Sequence, residues 1–267
     1  MERRTTIGEV MAFLDATFRP ELQEDYDNAG FLLGDSAEKY RGALVALDLT
    51  PAVIDEAVSL GLNLIVTHHP FIFSGLKRIT DRSETGRMVM ALVRNGISVY
   101  AAHTNLDNLP WGVNGALARQ LRLKNCRILK GVQGEQDNSI GAGMVGELTR
   151  TTIAGNFLLR IKHQLRQPIL RTSPFDPKKH IQRIAICGGS GAQFIGDAIA
   201  AGADVYITAD LKYHDFQRAE GRIILVDAGH YETEQYAKEI ISRAISEKFS
   251  NFACRISENQ ASLVHYI

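Results

Sequence analysis

Cysteine is scarce in this 267-residue chain: Cys126, Cys187 and Cys254 stand 61 and 67 residues apart. An odd count without a C-x-x-C pair argues against a disulfide framework or a thiolate zinc site and fits a reducing cytoplasm. Long apolar runs are missing as well. Nothing approaches the ~20 residues of a membrane span, and the opening residues 1–9 meet acidic side chains without a signal-like apolar core, so neither secretion nor a membrane partner is expected. Charge of one sign is also lacking, because 30 Lys and Arg balance 30 Asp and Glu. That balance removes the global electrostatic motive for direct nucleic-acid binding, and any anionic ligand must be held locally. What is present is ordinary for a folded protein, with 45% apolar and 22% charged residues. The length allows one large domain or two small ones.

Ile7, Val10, Met11 and Leu14 fall at helical spacing behind Thr6, with Glu9 three residues after that cap, which predicts an amphipathic helix over 7–18. From Gly42 the chain reads strand, helix, strand: 43–47, 53–60 and 64–66. The order returns at 184–187, 194–201 and 205–207. Setting Gly61 on Gly202, an offset of 141 residues, brings Ile54, Ala57 and Thr67 onto Ile195, Ala198 and Thr208. Each Gly stands where a helix must stop with positive φ before a strand begins. A further Gly-led apolar run comes after each copy, 96–102 and 221–228, and each leads to a histidine with a carboxylate four residues later: His103/Asp107 and His230/Glu234. The fold class expected is α/β, with two similar halves facing each other across a metal-binding cleft. Residues 1–125 form the first half, completed by 245–267, and 126–244 the second. Residues 127–183, with the Gly-rich stretch 131–146 and Pro168, Pro174 and Pro177, read as an irregular connection. Residues 235–249 read as a helix and 263–267 as a final strand.

Thr67-His68-His69-Pro70 closes the strand at 64–66. Neighbouring residues of a regular strand point to opposite faces, so two adjacent histidines can share a site only where the strand has ended. The alternatives are a solvated loop pair and a pair serving two ions. Singly, H-x-x-x-[DE] is a common exposed pairing. Together, His68, His69, His103, Asp107, His230 and Glu234 lie just past the strands of two matching halves, with no cysteine nearby. Imidazole and carboxylate together suit Zn, Mn, Fe, Co or Ni, and two such ions are a known means of splitting phosphate esters and amides. Cys187-Gly188-Gly189-Ser190-Gly191 runs from strand to helix and reads either as a phosphate cradle on Gly189, Ser190 and Gly191 or as a tight turn. It is neither a dinucleotide fingerprint nor a P-loop.

Tyr26-Asp27-Asn28-Ala29-Gly30-Phe31-Leu32-Leu33-Gly34, Thr67-His68-His69-Pro70, Thr104-Asn105-Leu106-Asp107 and Gly229-His230-Tyr231-Glu232-Thr233-Glu234 resemble, in order and spacing, the motifs of the Nif-three-like dinuclear metal-centre proteins. Those proteins are also known as type 2 homologues of GTP cyclohydrolase I. The usual motif opens W-D-N-x-G-L, so Tyr26 replaces a Trp and Phe31 a Leu, each keeping a large apolar side chain. The resemblance implies two divalent ions per chain on His68, His69, Asp107, His230 and Glu234. It makes His103 a residue behind the metal or a proton carrier. It further implies two α/β domains and a toroidal homohexamer. Asn28 belongs either to a turn before a strand or to a substrate-contacting loop.

The function expected is a dinuclear metal-dependent hydrolase acting on a small molecule, a nucleotide or other phosphorylated compound. Ring opening of GTP is what the family resemblance implies. The alternative is a metal-binding regulatory or interaction protein without turnover.

Overall fold

The computed structural model describes residues 5–132, 139–259, 262–265 and 267. The chain forms two compact units, Met1–Leu106 with Ala237–Ala261, and Asp107–Tyr236 with Ser262–Ile267.

The first unit opens with α1 (Ile7–Phe18). Thr6 Oγ1 accepts from Glu9 N–H and the Glu9 carboxylate accepts from Thr6 N–H, closing the expected capping box. Next come β1 (Gly30–Leu33), β2 (Gly42–Ala46), α2 (Pro51–Ser59), β3 (Leu64–Thr67), α3 (Glu84–Asn95), β4 (Ser98–Ala101) and the single turn α4 (Thr104–Asp107). β2, β3 and β4 are buried on both faces, as their unbroken apolar runs require of parallel strands. Leu44, Ile65 and Val99 pack with Val53, Ile54 and Ala57 of α2 and Met88 and Leu92 of α3 in one cluster. Each such fully buried large side chain contributes about 1.5–3 kcal/mol.

The second unit contains α5 (Val113–Gln120), β5 (Lys124–Gly131), β6 (Gly141–Ile153), α6 (Ala154–Gln164), β7 (Arg171–Thr172) and β8 (His180–Ser190), then α7 (Ile195–Ala200), β9 (Val205–Ala209), α8 (Tyr213–Gln217), β10 (Ile224–Asp227) and α9 (His230–Glu234). Its strands order as β5-β6-β8-β9-β10-β7, with β8, β9 and β10 parallel. Alternate residues feed two cores: Ile184, Ile186, Val205 and Ile207 meet α5 and α6, while Ala185, Cys187 and Tyr206 meet α7. The chain returns to the first unit through α10 (Ala237–Lys248) and β11 (Ala253–Ile256). The first sheet thereby becomes β1-β4-β3-β2-β11, parallel except for β1.

Three sequence expectations need correction. Residues 127–183 are not an irregular connection, since they hold most of β5, all of β6, α6 and β7, and the start of β8. The glycines read as turn signals lie largely within β6, where side chains would collide. A Cβ on Gly143, at φ +63°, would stand 2.8 Å from Ile186 O, and one on Gly146 2.7 Å from Cys126 Sγ. Residues 133–138, in the middle of that Gly-rich stretch, lie outside the described residues. Secondly, the chain leaves the first unit at Leu106 instead of 125, because Leu117 and Ala118 of α5 pack in the second unit's core. Thirdly, the last strand is Ala253–Ile256, which pairs with the open edge of β2; residues 262–265 and 267 form no strand, and 266 is outside the described residues.

The repeat is visible bond by bond. Leu60 N to Glu56 O, Gly61 N to Val58 O and Leu62 N to Ala57 O recur at the same offset as Ala201 N to Asp197 O, Gly202 N to Ile199 O and Ala203 N to Ala198 O. Gly61 and Gly202 adopt φ of +68° and +70°. Ala102 N donates to Thr67 O and Ala228 N to Thr208 O, so Ala102 corresponds to Ala228. His103 therefore matches Gly229, one residue before His230.

Candidate metal centre

In the first unit the site residues stand at the carboxyl ends of the parallel strands, where open α/β sheets place ligands. His68 and His69 come directly after β3. Their backbone N–H groups donate to Ala46 O at 3.2 Å and Leu47 O at 2.9 Å, and the buried Thr67 hydroxyl donates to His69 O at 2.8 Å. The chain thus leaves strand geometry while still pinned to β2, and both rings come to one place. His103, past the end of β4, joins them. The ring centroids of His68, His69 and His103 are 5.0–5.4 Å apart, and each ring offers a nitrogen within 4.8 Å of the other two.

All three rings are held by the same nitrogen. Nδ1 of His68 lies 2.6 Å from Ala102 O, that of His69 2.7 Å from Asp48 Oδ1, and that of His103 2.7 Å from Asp27 Oδ1. A carbonyl only accepts, so His68 Nδ1 carries a proton, and in the neutral ring the lone pair is on Nε2. This is the arrangement that outer partners impose on metal-ligating imidazoles. Asp27 also takes the N–H of Thr104 at 3.1 Å, the Thr104 hydroxyl, and Asn28 N–H at 2.7 Å. Burial alone would raise its pKa, but the bonds from His103 and Thr104 outweigh it and lower the carboxyl to about 2. Asn28 Nδ2 donates to Ile72 O at 2.6 Å, tying this turn to the loop after His69.

In the second unit the pattern recurs. His230 Nδ1 lies 2.7 Å from Asp210 Oδ2, and Nε2 lies 2.8 Å from Glu234 Oε2, one helical turn along α9. Burial would lower the His230 pKa, yet Asp210 and Glu234 override it and push it up to about 11. The two carboxylates thus favour the imidazolium, with one ring nitrogen on each. Asp107 ends α4, and its carbonyl accepts from Asn114 Nδ2 at 3.2 Å.

The glycine run belongs to this site as packing. A Cβ on Gly189 would fall 1.9 Å from Glu234 Oε1, and one on Gly191 2.4 Å from Thr208 Oγ1. Gly188 N–H donates to Asn114 Oδ1 and Gly189 N–H to Thr233 Oγ1, so these donors are already committed within the fold. Ser190 ends β8 opposite Ala209, and the α-helix after the run is only six residues long. Of the two readings of this run, the close packing on Glu234 and Thr208 accounts for Gly189 and Gly191 as glycines. Asp27, Asp48 and Asp210 are the residues sequence reasoning missed as ring holders. Asp27 lies inside the Tyr26–Gly34 motif, whereas Asp48 and Asp210 are marked only by standing just past β2 and β9, as the histidines stand past β3 and β10.

Residues 5–262 match the model of Duf34/NIF3 (NGG1p interacting factor 3). The chain belongs to this family. A Clostridium perfringens family member named GTP cyclohydrolase 1 type 2 homolog is 33% identical over 248 residues, covering 92% of this chain and 93% of its own. One of the same name from Nostoc sp. is 40% identical over 196 residues, 73% of each chain. The crystal structure of Staphylococcus aureus hypothetical protein SA1388 superposes with a TM-score of 0.90 at 29% identity, covering 99% of this chain and all of that one. Among the described residues no helix is long and apolar enough to cross a membrane.

Proposed function

We propose that this Duf34/NIF3 chain is a metal-dependent hydrolase holding two divalent ions on His68, His69, Asp107, His230 and Glu234. The observation that carries the reading is the set of four imidazoles, each fixed through Nδ1 by a carbonyl or carboxylate, so that the Nε2 atoms are pre-aimed. The donor set fits borderline ions, Zn, Mn, Fe, Co or Ni, since it is all imidazole and carboxylate. When bound, two such ions supply Lewis acidity and acidify water. The protein's own part is orientation and proton handling. His103, held on the anionic Asp27, is suited to accept a proton at Nε2 while Asp27 stabilises the resulting imidazolium. The relatives' name points to GTP, whose ring opening by water releases formate; a nucleotide or other phosphorylated small molecule is the substrate class proposed. Cytoplasmic location and a homohexamer are part of the same proposal.

Plasma mass spectrometry on untagged protein tests the centre. We expect close to two ions per chain, falling in both His68→Ala and Glu234→Ala, and formate release from GTP by the loaded wild type. Absence of metal after incubation with Mn, Zn, Fe or Co would overturn the reading. Full loading with no formate and no turnover in a phosphatase and phosphodiesterase screen would favour a metal-binding interaction protein, the role that the family's description as an interacting factor suggests.

A further inference from the structure

The balance of charge over the whole chain conceals a local excess. Between Leu148 and Phe175 there is no Asp or Glu, while Arg150, Arg160, Lys162, Arg166 and Arg171 all fall there. In the second unit, Arg122, Arg150 and Arg160 line one cavity of about 430 Å³, together with the buried Leu121 and Leu148 and with no carboxylate among its lining residues. Among the described residues none of the three guanidinium groups meets a carboxylate. Arg160 rests on the Phe157 ring, 5.2 Å from its centroid, and the neighbouring acid, Glu147, is taken by Arg183 at 3.3 Å. Two features of the backbone set these arginines apart from ordinary surface residues. β6 takes five steps from Glu147 to Thr152 while β8 takes two, from Arg183 to Ile181. The surplus is a bulge within 148–151, which re-aims side chains that a regular ladder would fix, and Thr151 Oγ1 pins it by donating to Gln182 Oε1 at 3.1 Å. Arg122 follows α5 at φ +58°, the left-handed position that Gly61, Gly96 and Gly202 take after α2, α3 and α7. An L side chain is disfavoured there, so Arg122 holds its place at a cost to folding that a glycine would avoid.

We propose that Arg122, Arg150 and Arg160 form an anion site, separate from the candidate metal centre, that takes a small, multiply charged phosphate anion of the pyrophosphate class. Guanidinium groups pair bidentately with phosphoryl oxygens, and three of them match the charge of such an anion better than that of a single carboxylate. The cavity lies at the far end of β8 from the candidate metal centre. Thr152 pairs with Ile181 near the start of that strand, whereas Glu234 approaches Gly189 near its end, roughly 25 Å further on at the rise of a strand. A small anion held on the arginines cannot reach those metal-ligating groups, so the site binds without turnover and stands independently of the hydrolase reading.

The test is isothermal titration of the purified full chain with inorganic pyrophosphate and with acetate, with metal content and unfolding temperature measured on the same samples. Wild type and His68→Ala should both bind pyrophosphate, and acetate should bind at least tenfold more weakly. Arg150→Ala, Arg160→Ala and Arg122→Gly should each weaken pyrophosphate binding about 10- to 150-fold, all with unchanged metal content. Arg122→Gly should unfold no earlier than wild type, because glycine suits the left-handed position, and this separates lost binding from lost folding. Pyrophosphate that fails to bind, binds no better than acetate, or binds the arginine variants as well as wild type would overturn the site. So would binding that disappears in a folded His68→Ala and persists in the arginine variants, because the anion would then sit on the metal centre. A single-stranded oligonucleotide that binds through the same arginines while pyrophosphate does not would also overturn it and reassign the cavity to a nucleic-acid backbone.

Discussion

Asp27 shows how a single carboxylate can govern a site without touching its ligand. Its side chain is wholly buried and its pKa is lowered to about 2, so its contribution to stability is present above the ordinary value of 3.8 and is lost as pH falls through about 2. The size is about 2 kcal/mol. Denaturant titrations between pH 2 and 5 should show that wild type loses this much relative to Asp27→Asn over that window; parallel pH profiles would refute the assignment. His230 runs the other way. Its pKa is raised to about 11, so in metal-free protein its contribution is complete below 6.5 and disappears as pH rises through 11. On the proposed ligand set, an ion binding His230 at neutral pH would have to expel that proton. The heat of metal binding should therefore vary with the ionisation enthalpy of the buffer, and a buffer-independent heat would argue against His230 as a ligand.

At the scale of elements, much was legible because local chemistry and tertiary demand agree. The Thr6/Glu9 capping box of α1 is decided within four residues, and Thr6→Ala should cost about 1 kcal/mol by thermal denaturation. The β2-α2-β3 unit and its copy were readable from Gly61 and Gly202, since a helix stop at positive φ leaves a mark on sequence. The histidines past β3, β4 and β10 were readable for the same reason: strand ends are visible, and so are the residues just beyond them. Other features were not. Glycines in β6 and β8 serve close approach of distant backbone and side chains, and in sequence such a glycine looks the same as one in a turn. The one-residue offset between His103 and His230 depends on backbone bonds that leave no mark in the sequence. Asp48 and Asp210 carry no motif of their own. The Gly189 reading has a direct check: Gly189→Ala places a methyl against Glu234 at φ +61° and should lower metal content as Glu234→Ala does, whereas undiminished loading would remove the packing role.

For the molecule as a whole, ions that bind only the folded chain add RT ln(1 + [M]/Kd), about 2.7 kcal/mol at a hundredfold excess over Kd. Chelation should lower the unfolding temperature of wild type and leave His68→Ala unmoved. The path of the chain has a different consequence. The first unit is interrupted after Leu106 and completed only by Ala237–Ala261, where β11 pairs along β2. During synthesis, at about 5–20 residues per second, β2 must wait roughly 10–40 seconds for its last neighbour. Throughout that interval a fully apolar strand presents an unpaired backbone edge to the crowded surroundings of the ribosome. Nascent chains stalled before Ala253 should accordingly recruit chaperones or aggregate, while chains released just beyond Ser257 should not, which makes the final residues of the first sheet a timing device for when this protein becomes safe to let go.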